Sequence, residues 1–434
     1  MISHLQTLTL ISIVVALACL GAAALTTVIA ALRVGGRREE PPDSYEALSA
    51  SRFTIPVSIV VPVEGSRRLR SGATRHPGQN DLSDTINSLL ALDYPDFEVV
   101  VVAEQLTDED LGTLKIDWAL EPKEFFYRQS LGTTGVRRIY RSSREPRVMV
   151  VEKERASQAD ALNCGVNLAR YRYIVTVTSP ASIESDALLR AMGPALRDPG
   201  NAVAIVCHLE SAGDDSERLK SLRAIMASRI AWRWLRAGLA LDQTVVIWRR
   251  DALLQRGGFA NGAADPCLDM MVRLQVRPAS DGNRVVRTAE IFGRAGGQTR
   301  ARRLRVSAKR PAAAFQALWR NGALAESSGL DGRAAWYFAA SELLAPLLEA
   351  WVGIGTLAGA ILGWLSWTDA LLALLVLSLG HALVTTAALL LRGAAPGAPT
   401  GHELLRLVFV APFEFALAVL PIGPRQGLGV SGIP

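Results

Sequence analysis

Short hydrophobic runs alternate with helical patterns in the first half of this chain. Residues 57–63 form a nearly continuous β-branched run, and further apolar runs follow at 97–102, 147–151 and 173–177. Runs without polar alternation are typical of strands buried on both faces of a parallel sheet. Helical patterns lie between or after these runs, at residues 84–92, 156–169 and 185–196. Strand and helix in turn predict an α/β fold with a doubly wound, mainly parallel sheet and right-handed crossovers.

The same pattern predicts where a ligand would bind. In open α/β sheets, ligands occupy the crevice beyond the carboxyl ends of the strands. The segments that follow Val63, Val102 and Val177 are therefore the first places to look for functional side chains.

The amino-terminal segment has the length and composition of a membrane anchor. Residues 8–32 carry no charge, and Arg33, Arg37 and Arg38 follow directly. A span needs about 20 apolar residues, and positive flanks stay in the cytoplasm. A cleaved signal peptide is the alternative, but the segment lacks a basic leading region and its apolar core is long for one. We expect an anchor over 1–38 and a linker over 39–54.

The carboxyl-terminal part returns to long apolar stretches. They cover 343–365, 370–391 and 404–420, and the first two are separated only by the residues Ser366 to Asp369, which predicts a helical hairpin. Arg392 and Arg406 mark the cytoplasmic side. We expect three transmembrane helices within 336–423, a tail at 424–434, and an integral protein of the inner (plasma) membrane with a cytoplasmic domain at 55–335.

Composition and charge agree with a soluble domain attached to a bilayer. Half of the 434 residues are hydrophobic, 20% are charged, and the formal net charge is +6. The basic residues lie beside apolar segments without interleaved aromatic residues, which favours anionic lipid over nucleic acid as a partner. Residues 217–236 form a basic amphipathic pattern with tryptophans that suits the membrane surface, although an ordinary packed helix would also fit.

Cysteines and histidines give no sign of a metal centre. Cys19, Cys164, Cys207 and Cys267 include no Cys-x-x-Cys pair, which predicts reduced packing residues. The five histidines include no two at metal-ligand spacing, so a zinc site is not expected.

Five segments together resemble the inverting family 2 glycosyltransferases, in particular the membrane-embedded members. In chain order they are VSIVVPV, SLLALDYPDFEVVVVAE, ADALNCGVNLA, WRRDALLQRGGF and LDMMVRL, between residues 57 and 274. The later segment FQALWRN, followed by WYFAASELLAPLLEAWVG, resembles the way those enzymes enter their membrane helices. The resemblance implies the nucleotide-diphospho-sugar transferase (GT-A) fold.

The resemblance also implies donor-binding positions, several of which carry other residues here. The aspartate that contacts the uracil of the donor corresponds to Ala103, with Glu104 beside it, and the lysine before the Ala-Leu-Asn motif corresponds to Gln158. Asn163 of that motif is retained. The further substrate-binding candidates on the motifs are Ser179, Arg249 and Arg250.

The metal and base motifs of the family are replaced as well. The Asp-x-Asp metal motif corresponds to Ser179, Pro180 and Ala181, and the Glu-Asp pair that contains the general base corresponds to Pro266 and Cys267. The Gln-x-x-Arg-Trp motif falls near Val306, Lys309 and Arg310. Divalent cations prefer carboxylate oxygens, which Ser, Pro and Ala do not supply.

Three residues remain as catalytic candidates: Asp265, Cys267 and Asp269. The two aspartates could hold an acceptor hydroxyl or could cap a helix. Cys267 could act as a base only with a lowered pKa. The acidic run of Glu104 and residues 108–110 could bind a cation or could begin a helix, where acids favour the first turn.

Two functions follow from these replacements. The first is a non-catalytic homologue that serves as a scaffold or regulatory subunit in envelope polysaccharide or glycolipid assembly. The second is an active hexosyltransferase with a non-standard site, which could work with or without a metal. We expect no cofactor for the first, and Mg²⁺ or Mn²⁺ with a nucleotide sugar if the enzyme is active. The expected partners are membrane lipid, a nucleotide sugar and other envelope-biosynthesis proteins, with no nucleic acid.

Overall fold

The computed structural model describes residues 54–64, 82–104, 108–124, 126–177, 181–197, 200–211, 244–276, 284–295 and 345–376, together with ten single positions near the amino terminus and between 313 and 321. A ten-stranded sheet forms the centre of this part, in the order β3-β4-β5-β2-β1-β6-β9-β8-β10-β7. The strands are β1 Val57–Glu64, β2 Phe97–Glu104, β3 Leu120–Pro122, β4 Val136–Ser142, β5 Val148–Lys153, β6 Tyr173–Thr176, β7 Ala181–Ile183, β8 Ala202–Ser211, β9 Thr244–Arg249 and β10 Arg284–Ala295.

Within the described ranges, seven helices have both ends defined, and a further helical stretch begins at 367. The seven are α1 Leu82–Leu90, α2 Asp108–Trp118, α3 Gln158–Leu168, α4 Ala187–Arg197, α5 Arg250–Gln255, α6 Pro266–Val276 and α7 Ala345–Ile361.

Most strands of the sheet run in one direction. Strands β5, β2, β1 and β6 are parallel neighbours, and β8 and β10 form a second parallel pair. Strands β4, β9 and β7 run the opposite way. The expected α/β fold with a large, mainly parallel sheet is therefore confirmed, and the antiparallel strands are an addition to it.

Two hydrophobic cores cover the two faces of the sheet. Alternate residues of β1 separate them, with Ile59 and Val61 in the core shared with α1, α2 and α4, and Val60 in the core shared with α3 and α6. Helix α3 lies so close to β1 that a Cβ on Gly165 would stand 2.3 Å from a methyl carbon of Val60. Helices on both faces are the arrangement expected of a doubly wound sheet.

The predicted elements coincide with the observed ones in the first half of the chain. The runs at 57–63, 97–102, 147–151 and 173–177 are strands β1, β2, β5 and β6, displaced by at most two residues at either end. The acidic residues 108–110 form the first turn of α2. The start of a helix was one of the two alternatives predicted for this run, and a cation site was the other. Glu104 does not belong to that turn, because it ends β2.

Two short helices follow one another at 345–376. Helix α7 ends at Ile361, Gly363 follows it with a φ of +71° that suits a glycine, and the amide of Trp364 donates to the carbonyl of Gly359 at 2.7 Å. Ser366 then caps the helix at 367–376 through a 3.1 Å bond from the amide of Asp369. The turn thus occupies 362–366 rather than Ser366 to Asp369.

Among the described residues, no helix is both long enough and apolar enough to span a bilayer. The expected interfacial helix at 217–236, the apolar stretch at 404–420, and the positions Ser179, Val306, Lys309 and Arg310 lie outside the described residues, as does nearly all of the anchor at 8–32.

Candidate functional site

The carboxyl ends of three parallel strands, β1, β2 and β5, meet at one edge of the sheet. Glu64 of β1 pairs in register with Glu104 of β2, and Glu104 pairs in register with Lys153 of β5. Strand β6 ends four residues earlier, at Thr176, which pairs with Val60 of β1. This edge is where an α/β sheet binds its ligands, so we take it as the candidate site.

A buried charge cluster lies at this edge, formed by Glu104, Thr134, Lys153 and Asp160. The Lys153 side chain is fully buried, forms an ion pair with Asp160, and lies 3.8 Å from the nearer oxygen of Glu104. Its amine also donates to the hydroxyl of Thr134 at 2.7 Å. Removing charges from water costs several kcal/mol per ion, and pairing and hydrogen bonding offset this cost for Lys153 and Asp160.

The amino terminus of α3 fixes Asp160 in the cluster. Ser157 is the N-cap of this helix and accepts a 3.2 Å bond from the amide of Asp160. The Asp160 carboxylate accepts bonds from both the amide and the hydroxyl of Thr134, at 3.0 and 2.8 Å. Gln158 begins the helix two residues earlier and is half-buried, so it lies next to this cluster.

Asn163 holds a glycine turn against helix α3. Its side-chain amide donates to the carbonyl of Phe259 at 2.9 Å, and its oxygen accepts from the amide of Phe259 at 2.8 Å. Gly257 and Gly258 precede Phe259 with φ angles of +75° and +72°. Both polar groups of this buried side chain bind the backbone, which assigns Asn163 to the architecture of the site.

Asp269 is held by two neighbouring side chains. Its carboxylate pairs with the guanidinium of Arg273 at 3.0 Å and accepts a 3.2 Å bond from Asn321. Arg273 also donates to the carbonyls of Arg256 and Gly258, both at 2.7 Å. These contacts tie α6 to the glycine turn and to the segment near 321, and they explain the retention of this acid without a catalytic role.

Asp265 is the N-cap residue of α6. Its carboxylate accepts a 3.0 Å bond from the amide of Leu268, and Pro266 occupies the first helical position. Aspartate at the N-cap followed by proline is a favoured helix start, because the aspartate satisfies a free amide and proline has none to satisfy. The capping reading of Asp265 therefore has direct structural support.

Cys267 lies in the first turn of α6 beside Thr176 at the end of β6. Burial, and then the nearby Asp265 carboxylate, raise the pKa of the Cys267 thiol, and a hydrogen bond with Thr176 only partly opposes them. At neutral pH the group is therefore a protonated thiol, which does not accept a proton as a base must. The lowered pKa that a catalytic Cys267 would require is not what this environment produces.

Arg249 and Arg250 lie at the opposite edge of the sheet. Arg249 pairs in register with Tyr173, the first residue of β6, because β9 runs antiparallel to β6. Its guanidinium binds the carbonyl of Gly200 and pairs with Asp251 at 2.7 Å. These contacts are structural and lie at the end of the sheet away from the candidate site, while the substrate-binding role suggested for the two arginines stays a prediction.

Within the described ranges, no group of three or more His, Cys, Asp or Glu side chains is placed to hold a metal ion. Glu104 and Asp160 share the ammonium of Lys153, so neither offers the metal ligand that a bare carboxylate would. The absence of a metal cofactor remains a prediction.

Lys153, Thr134 and Asp160 were missed by motif reasoning. Lys153 follows an apolar run directly, in VMVVEK, and Asp160 falls in the first turn of a helix. A charged residue at the last position of a buried strand was the available signal, because the carboxyl edge is where such a residue can act. Thr134 carried no such signal in the sequence, since it lies in a loop that is far along the chain from Lys153.

No family model and no curated protein matches this sequence. Among solved structures, the mannosyltransferase PcManGT of Pyrobaculum calidifontis, in complex with GDP-Man and Mn²⁺, is similar with a TM-score of 0.60 at 18% identity, over 89% of this chain and 97% of that one. The fold is of the GT-A type. The carboxyl edge of the sheet, where α/β proteins bind ligands, carries Glu104 and Lys153 in this chain.

Two further solved structures are similar at lower scores. TarS residues 1–349 of S. aureus, in complex with UDP-GlcNAc, has a TM-score of 0.43 at 13% identity, over 84% of this chain and 90% of that one. Glucosyl-3-phosphoglycerate synthase of Mycobacterium tuberculosis, in complex with Mn²⁺, UDP and glucosyl-3-phosphoglycerate, has a TM-score of 0.37 at 14% identity, over 64% of this chain and 86% of that one.

Proposed function

We propose that this protein is a membrane-associated GT-A protein that binds a nucleotide sugar but transfers the sugar poorly. It acts as a scaffold or regulatory subunit in the assembly of an envelope polysaccharide or glycolipid. The observation that carries the proposal is the start of α6, where the resemblance places the general base.

The first turn of α6 supplies no carboxylate that is free to act as that base. Cys267 is a buried thiol with a raised pKa. Asp265 caps the helix, and Asp269 is paired with Arg273 and bonded to Asn321. Asp265 and Asp269 are therefore engaged in structural contacts, and the Cys267 thiol is protonated, so none of the three is ready to act as the base.

The loss of rate can be bounded from general magnitudes. General-base assistance contributes roughly 10²–10⁴ in rate, and a catalytic metal stabilises the transition state by several kcal/mol more. Ser179, Pro180 and Ala181 stand where the family has its Asp-x-Asp motif. If the contributions of the base and of the metal are both lost, turnover should fall from a typical enzyme value of about 10 s⁻¹ to below about 0.1 s⁻¹.

Nucleotide binding is supported by the charged residues at the carboxyl edge of the sheet. Glu104 ends β2 with its carboxylate beside the Lys153 ammonium, one residue from the position that contacts the base in the family. PcManGT, which shares the fold, was solved with GDP-Man and Mn²⁺. On that basis, we propose that this chain also binds a nucleotide sugar.

Membrane association is supported by exposed apolar side chains at 354–376. Two helices of this segment present large hydrophobic residues to solvent, with exposed fractions from 42% to 67%. Isolated apolar residues on a surface are ordinary, but so many within one short segment mark an interaction site. They are Ile354, Leu357, Ile361, Leu362, Trp367, Leu371, Leu372, Leu375 and Val376.

The test is a paired measurement of binding and turnover on the full-length protein in lipid nanodiscs. GDP- and UDP-sugars are titrated calorimetrically with Mn²⁺ or Mg²⁺, and nucleotide release is followed with lipid acceptors present. We expect saturable binding with turnover below about 0.1 s⁻¹. Turnover of about 1 s⁻¹ or faster would instead establish the active, non-standard transferase, and a lack of nucleotide binding would refute the retained donor site.

A matched pair of variants locates the defect. Cys267→Asp restores a carboxylate at the position of the general base, whereas Cys267→Ser keeps a neutral group of similar size. The proposal expects any gain in turnover from the aspartate variant alone. Equal loss of a measurable wild-type activity in both variants would show that the thiol itself is catalytic.

A further inference from the structure

Two large hydrophobic side chains are exposed on either side of strand β3. Among the described residues between 54 and 295, only Ile116 and Phe126 expose most of a large hydrophobic side chain, with exposed fractions of 79% and 100%. Ile116 lies four residues before Leu120, and Phe126 lies four residues after Pro122. Single exposed apolar residues are ordinary, so the surroundings decide whether this pair marks an interaction surface.

The chain around β3 and β4 carries an excess of positive charge. Residues 120–144 have a net charge of +4, while all 434 residues together have a net charge of +6. We call residues 120–144 the basic edge. Its basic residues are Lys123, Arg128, Arg137, Arg138, Arg141 and Arg144, and its acidic residues are Glu121 and Glu124.

Several of these cations have no counter-charge nearby. Lys123 pairs with Glu121 at 3.5 Å, and Arg144 donates to a backbone carbonyl at 3.1 Å, which carries no net charge. The part of the chain that the structure describes offers no ion pair to Arg128 or Arg137, and both are exposed. These arginines are therefore available to an anionic surface outside the protein.

The basic edge is also a lateral edge of the sheet that is only partly covered. Strand β3 pairs with Tyr140 to Ser142, and a 2.9 Å bond from the amide of Lys123 to the carbonyl of Ile139 extends this contact by one residue. Among the described elements, no strand pairs with 136–138 on that side. Charged side chains on a sheet edge disfavour the addition of another strand, so this edge does not suit an extended peptide.

Cations around exposed apolar side chains are complementary to an anionic bilayer. The headgroup layer attracts the cations, and the boundary with the acyl chains takes up apolar side chains. An anionic polysaccharide would match the charges but would offer little apolar surface to a phenylalanine. Both features of the surface therefore favour lipid as the partner.

We propose that the basic edge docks on the anionic headgroups of a bilayer, with Phe126 and Ile116 inserted at the interface. The proposal rests on the proposed function, because it names a second surface through which the membrane-associated protein meets its bilayer. It is separate from the apolar helices at 354–376, since it depends on lipid charge and they do not.

Docking at the basic edge would bring the candidate site close to the lipid headgroups. The segment that begins at Phe126 ends in the buried charge cluster, where Thr134 donates to Asp160 at 2.8 Å and accepts from Lys153 at 2.7 Å. Eight residues span at most about 28 Å, so the inserted phenylalanine lies within that distance of the cluster. A lipid acceptor would then meet the site without leaving the bilayer surface.

The experiment measures amide hydrogen exchange of the full-length protein in two kinds of nanodisc. One contains phosphatidylcholine alone, and the other contains about one-third phosphatidylglycerol. Each basic residue at an anionic leaflet strengthens binding about fivefold, so exchange over 120–144 should slow at least about fivefold in the anionic discs. Salt at about 0.5 M should remove most of the slowing, because it screens charges beyond a few ångströms.

Two variants and a matched control locate the effect. The double variant Arg128→Glu, Arg137→Glu reverses two unpaired charges, and Phe126→Ser removes the exposed ring. Each should reduce the slowing to below about twofold. Arg172→Glu makes the same charge change at an exposed position just before β6, four strands away from β4, and should keep the wild-type slowing. Exchange of the buried amides of β1 and β2 reports whether each variant is folded.

The outcomes separate this inference from the proposed function. Wild type that is held in both discs, with equal exchange over 120–144, would overturn the inference and leave membrane association intact. Slowing that the variants do not reduce, or that Arg172→Glu reduces equally, would overturn it as well. If a soluble anionic polysaccharide slows exchange and phosphatidylglycerol does not, the edge binds polymer instead of lipid. Failure of wild type to enter either disc would refute the proposed membrane association and the inference with it.

Discussion

The turn at Gly257 and Gly258 allows a matched test of the architecture around the site. Both residues have left-handed φ angles, +75° and +72°. A Cβ on Gly257 would meet nothing within 4 Å, whereas a Cβ on Gly258 would stand 2.6 Å from the side-chain oxygen of Asn163 and 2.7 Å from a methyl carbon of Leu131. The two alanine substitutions should therefore cause similar backbone strain, and they should differ mainly in the packing around the new Cβ atom.

The magnitudes follow from these contacts. A left-handed alanine costs about 1–2 kcal/mol, partly offset by about 0.4–1 kcal/mol from the stiffer unfolded chain, so Gly257→Ala should cost roughly 1 kcal/mol. Gly258→Ala bears the same terms plus about 1–3 kcal/mol of overpacking. The oxygen of Asn163 cannot move aside without stretching its 2.8 Å bond to the amide of Phe259. We expect Gly258→Ala to be about 1–3 kcal/mol less stable than Gly257→Ala.

The assay is denaturant unfolding of the full-length protein in a mild detergent, followed by tryptophan fluorescence. Trp248 is a suitable reporter because it is fully buried and packs edge-to-face on Phe259, with ring centroids 5.7 Å apart. Equal unfolding free energies for the two variants, within about 0.5 kcal/mol, would refute the close packing of the turn on Asn163.

Three further perturbations test the remaining residues of the site. Asp265→Ala should cost about 1 kcal/mol by removing the N-cap of α6, while Asp265→Ser should be nearly neutral. Asp269→Ala should cost about 3–5 kcal/mol, since it leaves the partly buried Arg273 without its carboxylate, and unfolding measurements check both. Burial raises the pKa of the Cys164 thiol from 9.0 to about 12, and the pKa of the Cys267 thiol also lies above its ordinary value. The folded state therefore retains protons that the unfolded state releases above pH 9. The free energy of unfolding should fall as the pH rises from 9 towards 12.

Each of these expectations has a result that contradicts it. Equal stability of the alanine and serine variants at 265 would show that the cap contributes nothing. A loss below about 1 kcal/mol for Asp269→Ala would show that the Arg273 pair is solvated rather than buried. For the thiols, the comparison is the slope of stability between pH 9 and 10 in wild type and in Cys164→Ala, and identical slopes would argue against a buried, neutral Cys164.

Local sequence patterns were sufficient for the elements that build the parallel centre of the sheet. The β-branched run at 57–63 and the apolar run at 97–102 each bury nearly every residue as strands β1 and β2, so composition and position agree. The capping role of Asp265 was also readable, because a cap and its helix are neighbours in sequence. Strands β4, β9 and β10 were not predicted, since strand propensity depends on the neighbouring strands and leaves only a weak local pattern.

The features of the site also fall into those that the sequence revealed and those that required the structure. The residues that the resemblance aligns with catalytic acids, such as Cys267, can be read without coordinates, and the loss of catalysis that they suggest stays a prediction. The roles of Arg249 and Arg250 depended on the direction of β9, which places them at the edge away from the site. Strand direction is a property of the whole sheet, and a motif read along the chain does not contain it.

The amino-acid sequence alone determined the α/β class and the order of the central strands and helices. Those properties depend on short-range periodicity and residue identity. Only the tertiary structure decided that Glu104, Lys153 and Asp160 meet with Thr134 in one buried cluster, and that Asp269 is bound by Arg273 and Asn321. Most of these contacts join residues from separate elements, and their distances are set by the packing of helices on a twisted sheet.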